Sequence, residues 1–251
     1  MTDTTLIIRP QPDADRDVAC LARYAVPAVA IPVMQTLTMP VTWPDPGRFQ
    51  GIVLTSRHAV DQLHAAPDAA AWRDLPVFAV GHATAAAAAA AGFAHIITGP
   101  GNGAGLVPVM AAYFGSTPAP DQPLLVWPGA VDIGFDMVAA LAPYGIRLDP
   151  VVVYQMAPRP DVSDAIRAEL ATVQDGALVA MSARSVNLWR DAMDAAGRGP
   201  DRISLIAGSD TIAAAAGDGW REIFVARHPR RSRLLAIAVM RYRRDARLTA
   251  G

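Results

Sequence analysis

Pro76-Val77-Phe78-Ala79-Val80-Gly81-His82-Ala83-Thr84, followed by an alanine run that ends at Gly92-Phe93, decides how this chain folds. The apolar run Val77 to Val80 predicts a buried strand. Gly81-His82 predicts a turn, because glycine tolerates backbone angles that other residues avoid. Thr84 to Ala91 predicts a helix, with threonine capping the free N–H groups and alanine, the best helix former, as its body. Gly92 ends it. A strand that feeds a helix through a glycine turn leaves bare backbone N–H groups at the strand's carboxyl end, where open α/β sheets bind anions. Alone, such a unit is more often scaffold than binding site.

The pattern recurs. Ile203-Ser204-Leu205-Ile206-Ala207-Gly208-Ser209-Asp210-Thr211, an alanine run and Gly219-Trp220 repeat the same order. Gly81 and Gly208, Thr84 and Thr211, and Gly92 and Gly219 are each 127 positions apart. A second pair of segments echoes in the same way. Gly51 to Val60, with the turn Thr55-Ser56-Arg57-His58, parallels Gly176 to Val186, with the turn Ser182-Ala183-Arg184-Ser185. Each half reads strand, Ser/Arg turn, helix, strand, Gly-x-x-Thr turn, alanine helix, strand. That order predicts two copies of one parallel α/β unit.

The rest of the chain fits around this duplication. Leu6-Ile7-Ile8 reads as a first strand, Asp13 to Arg23 as a helix and Ala28 to Gln35 as a second strand. Pro40, Pro44 and Pro46, and later Pro158 and Pro160, break regular structure and mark two crossings. The expected fold is α/β, with two similar lobes of parallel sheets flanked by helices and joined by a two-stranded hinge. Residues 1–35 plus 159–251 form one lobe, 41–150 the other, and 36–40 with 151–158 the hinge strands. Both sets of turns would then face one cleft. Gly99 to Gly105 reads as a mobile loop before a helix at Leu106 to Phe114. Leu124 to Trp127 reads as a strand that turns at Pro128-Gly129, and Ile133 to Tyr144 as a helix. The basic segment Arg231 to Arg247 reads as a helix that packs its apolar centre on the last lobe with solvated arginines, in preference to a membrane-surface helix.

Composition narrows the function. The 251 residues are 52% hydrophobic, enough for a real core, and the net charge of −1 argues against a nucleic-acid binder. All 22 basic residues are arginine, which excludes a Schiff-base or Walker-type lysine. Cys20 is the only cysteine, so neither a disulfide framework nor a cysteine-rich metal site is expected. The amino terminus lacks the basic start and apolar run of a signal peptide, and no stretch is long and apolar enough to span a membrane. A cytoplasmic monomer is expected. His58, His64, His82, His95 and His228 are scattered, so no metal site is expected. Ser56, Ser182 and Ser185 lie outside any Gly-x-Ser-x-Gly elbow and read as helix caps. Turns of serine, threonine, arginine, histidine and backbone N–H groups suit carboxylates or phosphates, at about 1.5–3 kcal/mol per charged hydrogen bond. Asp210 opposes this in its own turn. The residues thus predict a two-lobed binder of a flexible anionic small molecule, and no particular reaction.

The pattern resembles the uroporphyrinogen-III synthase family. The resemblance rests on Ile8-Arg9-Pro10 followed by acids, Ile31-Pro32-Val33-Met34, Thr55-Ser56-Arg57-His58-Ala59-Val60, Val80-Gly81-His82-Ala83-Thr84-Ala85, Val152-Val153-Tyr154, Ser182-Ala183-Arg184-Ser185-Val186 and Ala207-Gly208-Ser209-Asp210-Thr211. It implies two lobes joined by a two-stranded ladder. It also implies cyclisation of hydroxymethylbilane to uroporphyrinogen III, with inversion of the last ring, loss of water and no cofactor. A transient handover from hydroxymethylbilane synthase is compatible with this. Tyr154 matches the family's tyrosine on the return crossing, as proton donor or as packed hinge aromatic. Thr84 and Thr211 match its Gly-x-x-Thr threonines, as caps, substrate contacts or both. Arg9 binds a substrate carboxylate or pairs with Asp13 or Asp15. The turn residues Thr55, Ser56, Arg57, Gly81, His82, Ala83, Ser182, Ala183, Arg184, Ser185, Gly208 and Ser209 complete the implied binding set. Tyr24-Ala25-Val26-Pro27, where a glycine usually closes the first helix, and Asp210 depart from the family pattern. A related protein of the same fold that binds a tetrapyrrole without turning it over is the alternative, and a periplasmic-type ligand binder is a more distant one.

Overall fold

The structure, a computed structural model, describes residues 3–115, 122–173, 175–228 and 230–249. Its elements in chain order are β1 (Asp3–Ile7), α1 (Asp13–Ala22), β2 (Ala28–Ala30), β3 (Met34–Thr38), β4 (Gly51–Leu54), α2 (Arg57–His64), α3 (Ala69–Trp72), β5 (Val77–Ala79), α4 (His82–Ala90), β6 (Ile96–Thr98), α5 (Gly103–Phe114), β7 (Leu124–Ala130), α6 (Met137–Leu141), β8 (Arg147–Pro158), α7 (Val162–Thr172), β9 (Asp175–Ala180), α8 (Ala183–Ala195), β10 (Ile203–Ala207), α9 (Asp210–Ala216), β11 (Glu222–Val225) and α10 (Arg231–Thr249). They form an α/β protein with two sheets, of five strands in the order β11-β10-β9-β1-β2 and of six in the order β3-β8-β7-β4-β5-β6. The chain divides into two compact units, residues 1–35 with 157–251 and residues 36–156. The two boundaries fall inside β3 and β8, which are neighbours in the six-stranded sheet.

In the five-stranded unit every pairing is parallel, with Leu6 opposite Leu178 and Leu178 opposite Leu205. β10 is buried throughout, as a parallel strand covered on both faces must be. α1 and α10 pack on one face, where Leu21, Leu234, Leu235 and Ala238 meet Ile7, Val179 and Ile206. In the six-stranded unit β4 alternates its side chains between two cores. Ile52 and Leu54 pack with Leu63, Trp72 and Val77, while Val53 packs with Phe78, Leu106, Met110 and Trp127. This two-sided burial explains why β4 reads as a continuous apolar run rather than an alternating one.

Several local expectations change. The strand expected from Ala28 to Gln35 is broken between β2 and β3 at Ile31-Pro32, where proline offers no N–H to a ladder. β7 does not turn at Pro128-Gly129 but continues to Ala130, absorbing the irregularity as a register shift between Gly129 and Ala130. The glycine-rich stretch is not loop throughout. Asn102 accepts a hydrogen bond from the Gly105 N–H at 2.7 Å and starts α5 at Gly103. The helix expected from Ile133 shortens to α6, capped by Asp136, which accepts from the Ala139 N–H. α10 packs its apolar centre as expected, but its arginines are not all solvated. Arg241 is 3% exposed and pairs with Asp3, with Asp245 at 3.8 Å. No helix of the described residues is long and apolar enough to cross a membrane.

Candidate functional site

Sheet order locates the site in the six-stranded unit. From β4 the chain adds β5 and β6 on one side, then returns to place β7 and β8 on the other. The order therefore reverses between β4 and β7, and the crevice outside the carboxyl ends of such strands is where open α/β sheets take ligands. A cavity of about 280 Å³ lies there, lined by Thr55 beyond β4, Val80 beyond β5, Trp127 and Ala130 of β7 and Tyr154 of β8. Its remaining wall is the segment leading into α6, including Asp132, Ile133 and Phe135, with Gly103 at the start of α5. A Cβ at Gly103 would stand 2.8 Å from the Phe135 ring, so glycine lets that segment close down on α5.

Hydrogen bonds fix the polar side of the cavity. Ser56 begins α2, and its hydroxyl accepts from the Ala59 N–H at 3.1 Å. The same oxygen accepts from the Tyr154 hydroxyl at 3.0 Å. Tyr154 is 8% exposed, so its ring is held in the wall while its polar end reaches a partner, the usual solution for a buried phenol. The Trp127 indole N–H donates to the Thr55 hydroxyl at 3.3 Å. The turn into α4 borders the same crevice through Val80. Gly81 is the residue before the helix and supplies no side-chain cap, so the first residues of α4, His82 and Ala83, present amides without a side-chain acceptor at the capping position. A Cβ at Gly81 would meet the Gly101 Cα at 3.0 Å, and the Gly101 N–H donates to the Val80 carbonyl at 2.7 Å. The two glycine stretches thus interlock.

The structure places Thr55 and Tyr154 in the wall of this cavity, with Ser56 bonded to Tyr154, while Gly81, His82, Ala83 and Thr84 follow the lining residue Val80. Arg57 is the first residue of α2. Thr84 is not a cap. It is the third residue of α4, buried at 5% exposure, and its own N–H reaches the Gly81 carbonyl at 3.1 Å. The remaining residues named from sequence lie in the five-stranded unit. Ser182 caps α8, accepting from the Ser185 N–H, and Ala183 and Arg184 open that helix. Ser185 is not a cap but a buried residue within α8. Ser209, following Gly208, caps α9 by accepting from the Ile212 N–H at 3.4 Å. Thr211, exposed and second in its helix, caps nothing. Gly81 and Ser209 are therefore the matching positions, and the sequence echo of Gly-x-x-Thr is displaced by one residue. The buried Thr84 corresponds to the buried Ile212.

Arg9 follows β1, beside β9, where the order of the five-stranded sheet also reverses. Its guanidinium is bound to Asp13 at 2.7 Å and Asp17 at 3.1 Å, and Asp15 is held by Gln11 instead. Asp17 is 1% exposed and also receives Arg231, so the cluster ties α1 to α10. Among the described residues no group of three or more histidine, cysteine, aspartate or glutamate side chains is placed to hold a metal ion. Trp127, Ile133 and Phe135 were not singled out from the sequence. The signal for Trp127 was its place on a strand that the fold sets beside β4.

The family model described as uroporphyrinogen-III synthase HemD matches residues 17–236. The chain belongs to that family. Among solved structures, the uroporphyrinogen-III synthetase of Helicobacter pylori is similar at a TM-score of 0.63 and 15% identity, covering 96% of this chain and 99% of that one. A mutant uroporphyrinogen III synthase from the extremely thermophilic bacterium Thermus thermophilus is similar at a TM-score of 0.52 and 18% identity, covering 97% of this chain and 100% of that one. At such identities the likeness to these HemD structures shows the fold. No curated protein matches the chain.

Proposed function

We propose that the protein is a uroporphyrinogen-III synthase, closing hydroxymethylbilane to uroporphyrinogen III with inversion of the last pyrrole ring and release of water. The observation that carries this reading is the Tyr154 hydroxyl, set on Ser56 in the wall of the switch-point cavity of a HemD-family chain. The reaction breaks the carbon–oxygen bond of the hydroxymethyl group and joins that carbon to the already substituted α-carbon of the last ring. The old bridge bond at that α-carbon then breaks and re-forms at the ring's free α-carbon, which gives up its proton. It balances as loss of one water and requires no cofactor. Tyr154 supplies the proton that the departing hydroxyl needs, and Ser56 holds the phenol in place. At about 280 Å³ the cavity lies just below the span of small-molecule sites, which run from roughly 300 to 1,000 Å³, so it takes one end of the linear tetrapyrrole rather than all four rings. Trp127, Ile133 and Phe135 give that end an apolar wall. The first amides of α4 hold a carboxylate at the edge, at about 1.5–3 kcal/mol per charged hydrogen bond. Catalysis then consists largely of holding a reactive chain in the geometry that closes the inverted ring.

The test is turnover of hydroxymethylbilane with isomer analysis. Type III product above the spontaneous type I background is expected. Type I alone refutes the enzyme, and tight binding of the substrate without type III product would point to a non-catalytic tetrapyrrole binder of the same fold.

A further inference from the structure

We infer that His58 is a positioning residue for Tyr154, pinning the phenol ring so that its hydroxyl stays on Ser56. The inference rests on the acid role proposed above for Tyr154. His58 is the second residue of α2, the helix that Ser56 caps, so one helix start carries both the hydroxyl that accepts the Tyr154 hydrogen bond and a ring beside the phenol. The two ring centroids are 5.4 Å apart and the planes are tilted by 52°, within the range of favourable aromatic pairs.

The imidazole is itself tied down. Its Nε2 lies 3.3 Å from the Thr36 hydroxyl of β3. That hydroxyl donates to the Met156 sulfur at 3.4 Å. Met156 is two residues beyond Tyr154 on β8, on the same side of the strand. With its proton directed to sulfur, the Thr36 oxygen is left to accept from an Nε2–H of His58, a tautomer assigned from the network. The contacts form a closed circuit, from Tyr154 to Ser56, along α2 to His58, across to Thr36, on to Met156 and back along β8. The phenol ring is buried in the core of its unit, and the imidazole adds a tilted ring contact that limits how the phenol turns within that site. Displacement of a catalytic group by about 1 Å costs up to about 100-fold in rate.

The test uses the full chain with hydroxymethylbilane as substrate. His58→Ala is expected to lower kcat about 10- to 100-fold with little change in KM, because the substrate's own contacts remain. His58→Phe, which restores a ring but not the bond to Thr36, should recover most of that loss. His58→Ala with Tyr154→Phe should be no slower than Tyr154→Phe alone, since two changes that act through one group do not add. A second readout needs no turnover. With fluorotyrosine incorporated and the Tyr154 resonance identified by its absence in Tyr154→Phe, the fluorine line should move in His58→Ala and return towards its place in His58→Phe. Circular dichroism checks that each variant folds. An unmoved fluorine line, or losses that multiply in the double variant, overturns the inference. Full turnover by Tyr154→Phe would instead sink the acid role, leaving the fluorine shift alone to decide whether His58 holds the ring.

Discussion

Gly81→Ala and Gly208→Ala make the same change in the same sequence motif, and the structure assigns them opposite effects. Gly81 sits at φ −173° and ψ 177°, extended backbone that alanine adopts freely. Removing a glycine there would by itself stabilise the protein by about 0.4–1 kcal/mol through the unfolded chain. The added methyl, however, arrives 3.0 Å from the Gly101 Cα and 3.5 Å from its nitrogen. The obstacle is backbone, not the tip of a flexible side chain. Gly101 cannot withdraw easily, because its N–H is bonded to the Val80 carbonyl at 2.7 Å and its φ is +110°. Overpacking of this kind costs about 1–3 kcal/mol, which exceeds the gain. At Gly208 the methyl meets the Ile212 Cδ1 at 3.4 Å and the Ala180 carbonyl at 3.6 Å, ordinary contacts beside a movable side chain. There only the gain of about 0.4–1 kcal/mol remains. Urea denaturation followed by tryptophan fluorescence reports on both units, through Trp43, Trp72 and Trp127 in one and Trp189 and Trp220 in the other. Gly81→Ala should lower the midpoint and Gly208→Ala should hold or raise it. Equal shifts of the same sign would refute the interlock of the two glycine stretches.

The cap register is tested by Ser209→Ala, expected to cost about 1 kcal/mol, against Thr211→Ala, expected within about 0.5 kcal/mol of the parent; the reverse ranking in the same denaturation assay would restore the threonine as cap. Arg9→Met should destabilise the five-stranded unit by about 1.5–3 kcal/mol, since it removes a charged hydrogen bond to the buried Asp17, and an unchanged calorimetric transition would contradict that. Arg241→Ala should cost about 1.5–3 kcal/mol by removing the charged hydrogen bond to Asp3, while Asp245 keeps Arg221 and Arg244, and Arg241→Met, which keeps the packed stem, should cost less; equal losses would mean that charge alone matters. The hydrogen bond from Arg159 holds the exposed Asp161 carboxyl below its ordinary range. A depressed folded value means that the small stabilisation it brings is present above the ordinary carboxylate range and is lost as pH falls through the lowered midpoint. An NMR titration should show that low midpoint and its return towards the ordinary value in Arg159→Ala.

Much of the fold was legible because its signals are local. Apolar runs bounded by glycine and serine turns gave the strands, and their repetition gave two sheets of one kind. What failed locally did so where tertiary contacts overrule propensity. Pro128-Gly129 reads as a turn, yet β7 runs through it because β8 pairs along its length. Gly103 and Gly105 read as loop, yet Asn102 caps a helix over them. Thr84 and Thr211 look alike in sequence, but the burial of Thr84 and Ile212 shows that the helices start one residue out of step with the motif. At the candidate site, Thr55, Ser56 and Tyr154 were legible from their motifs. Trp127, Ile133 and Phe135 were not, because their place beside the crevice depends on where the sheet reverses its order. Arg9 illustrates the converse. Its helical spacing to Asp13 could be read directly, whereas the pull of the buried Asp17 depends on how α1 lies against α10.

The five-stranded sheet has a consequence for the order in which the protein can be made. β1 ends in Leu6-Ile7 and is followed by Ile8, all fully buried, and its central neighbour is β9, about 170 residues further on. At ribosomal rates of about 5–20 residues per second, roughly ten to thirty seconds pass between the two. In that interval residues 36–156 are synthesised in one uninterrupted run and can complete their own sheet. The first strand must wait, sticky and half-paired with β2, until the second half of its unit emerges. A nascent chain stalled before β9 should therefore hold a finished six-stranded unit behind an unfinished leading segment, and that segment is where a chaperone would be needed.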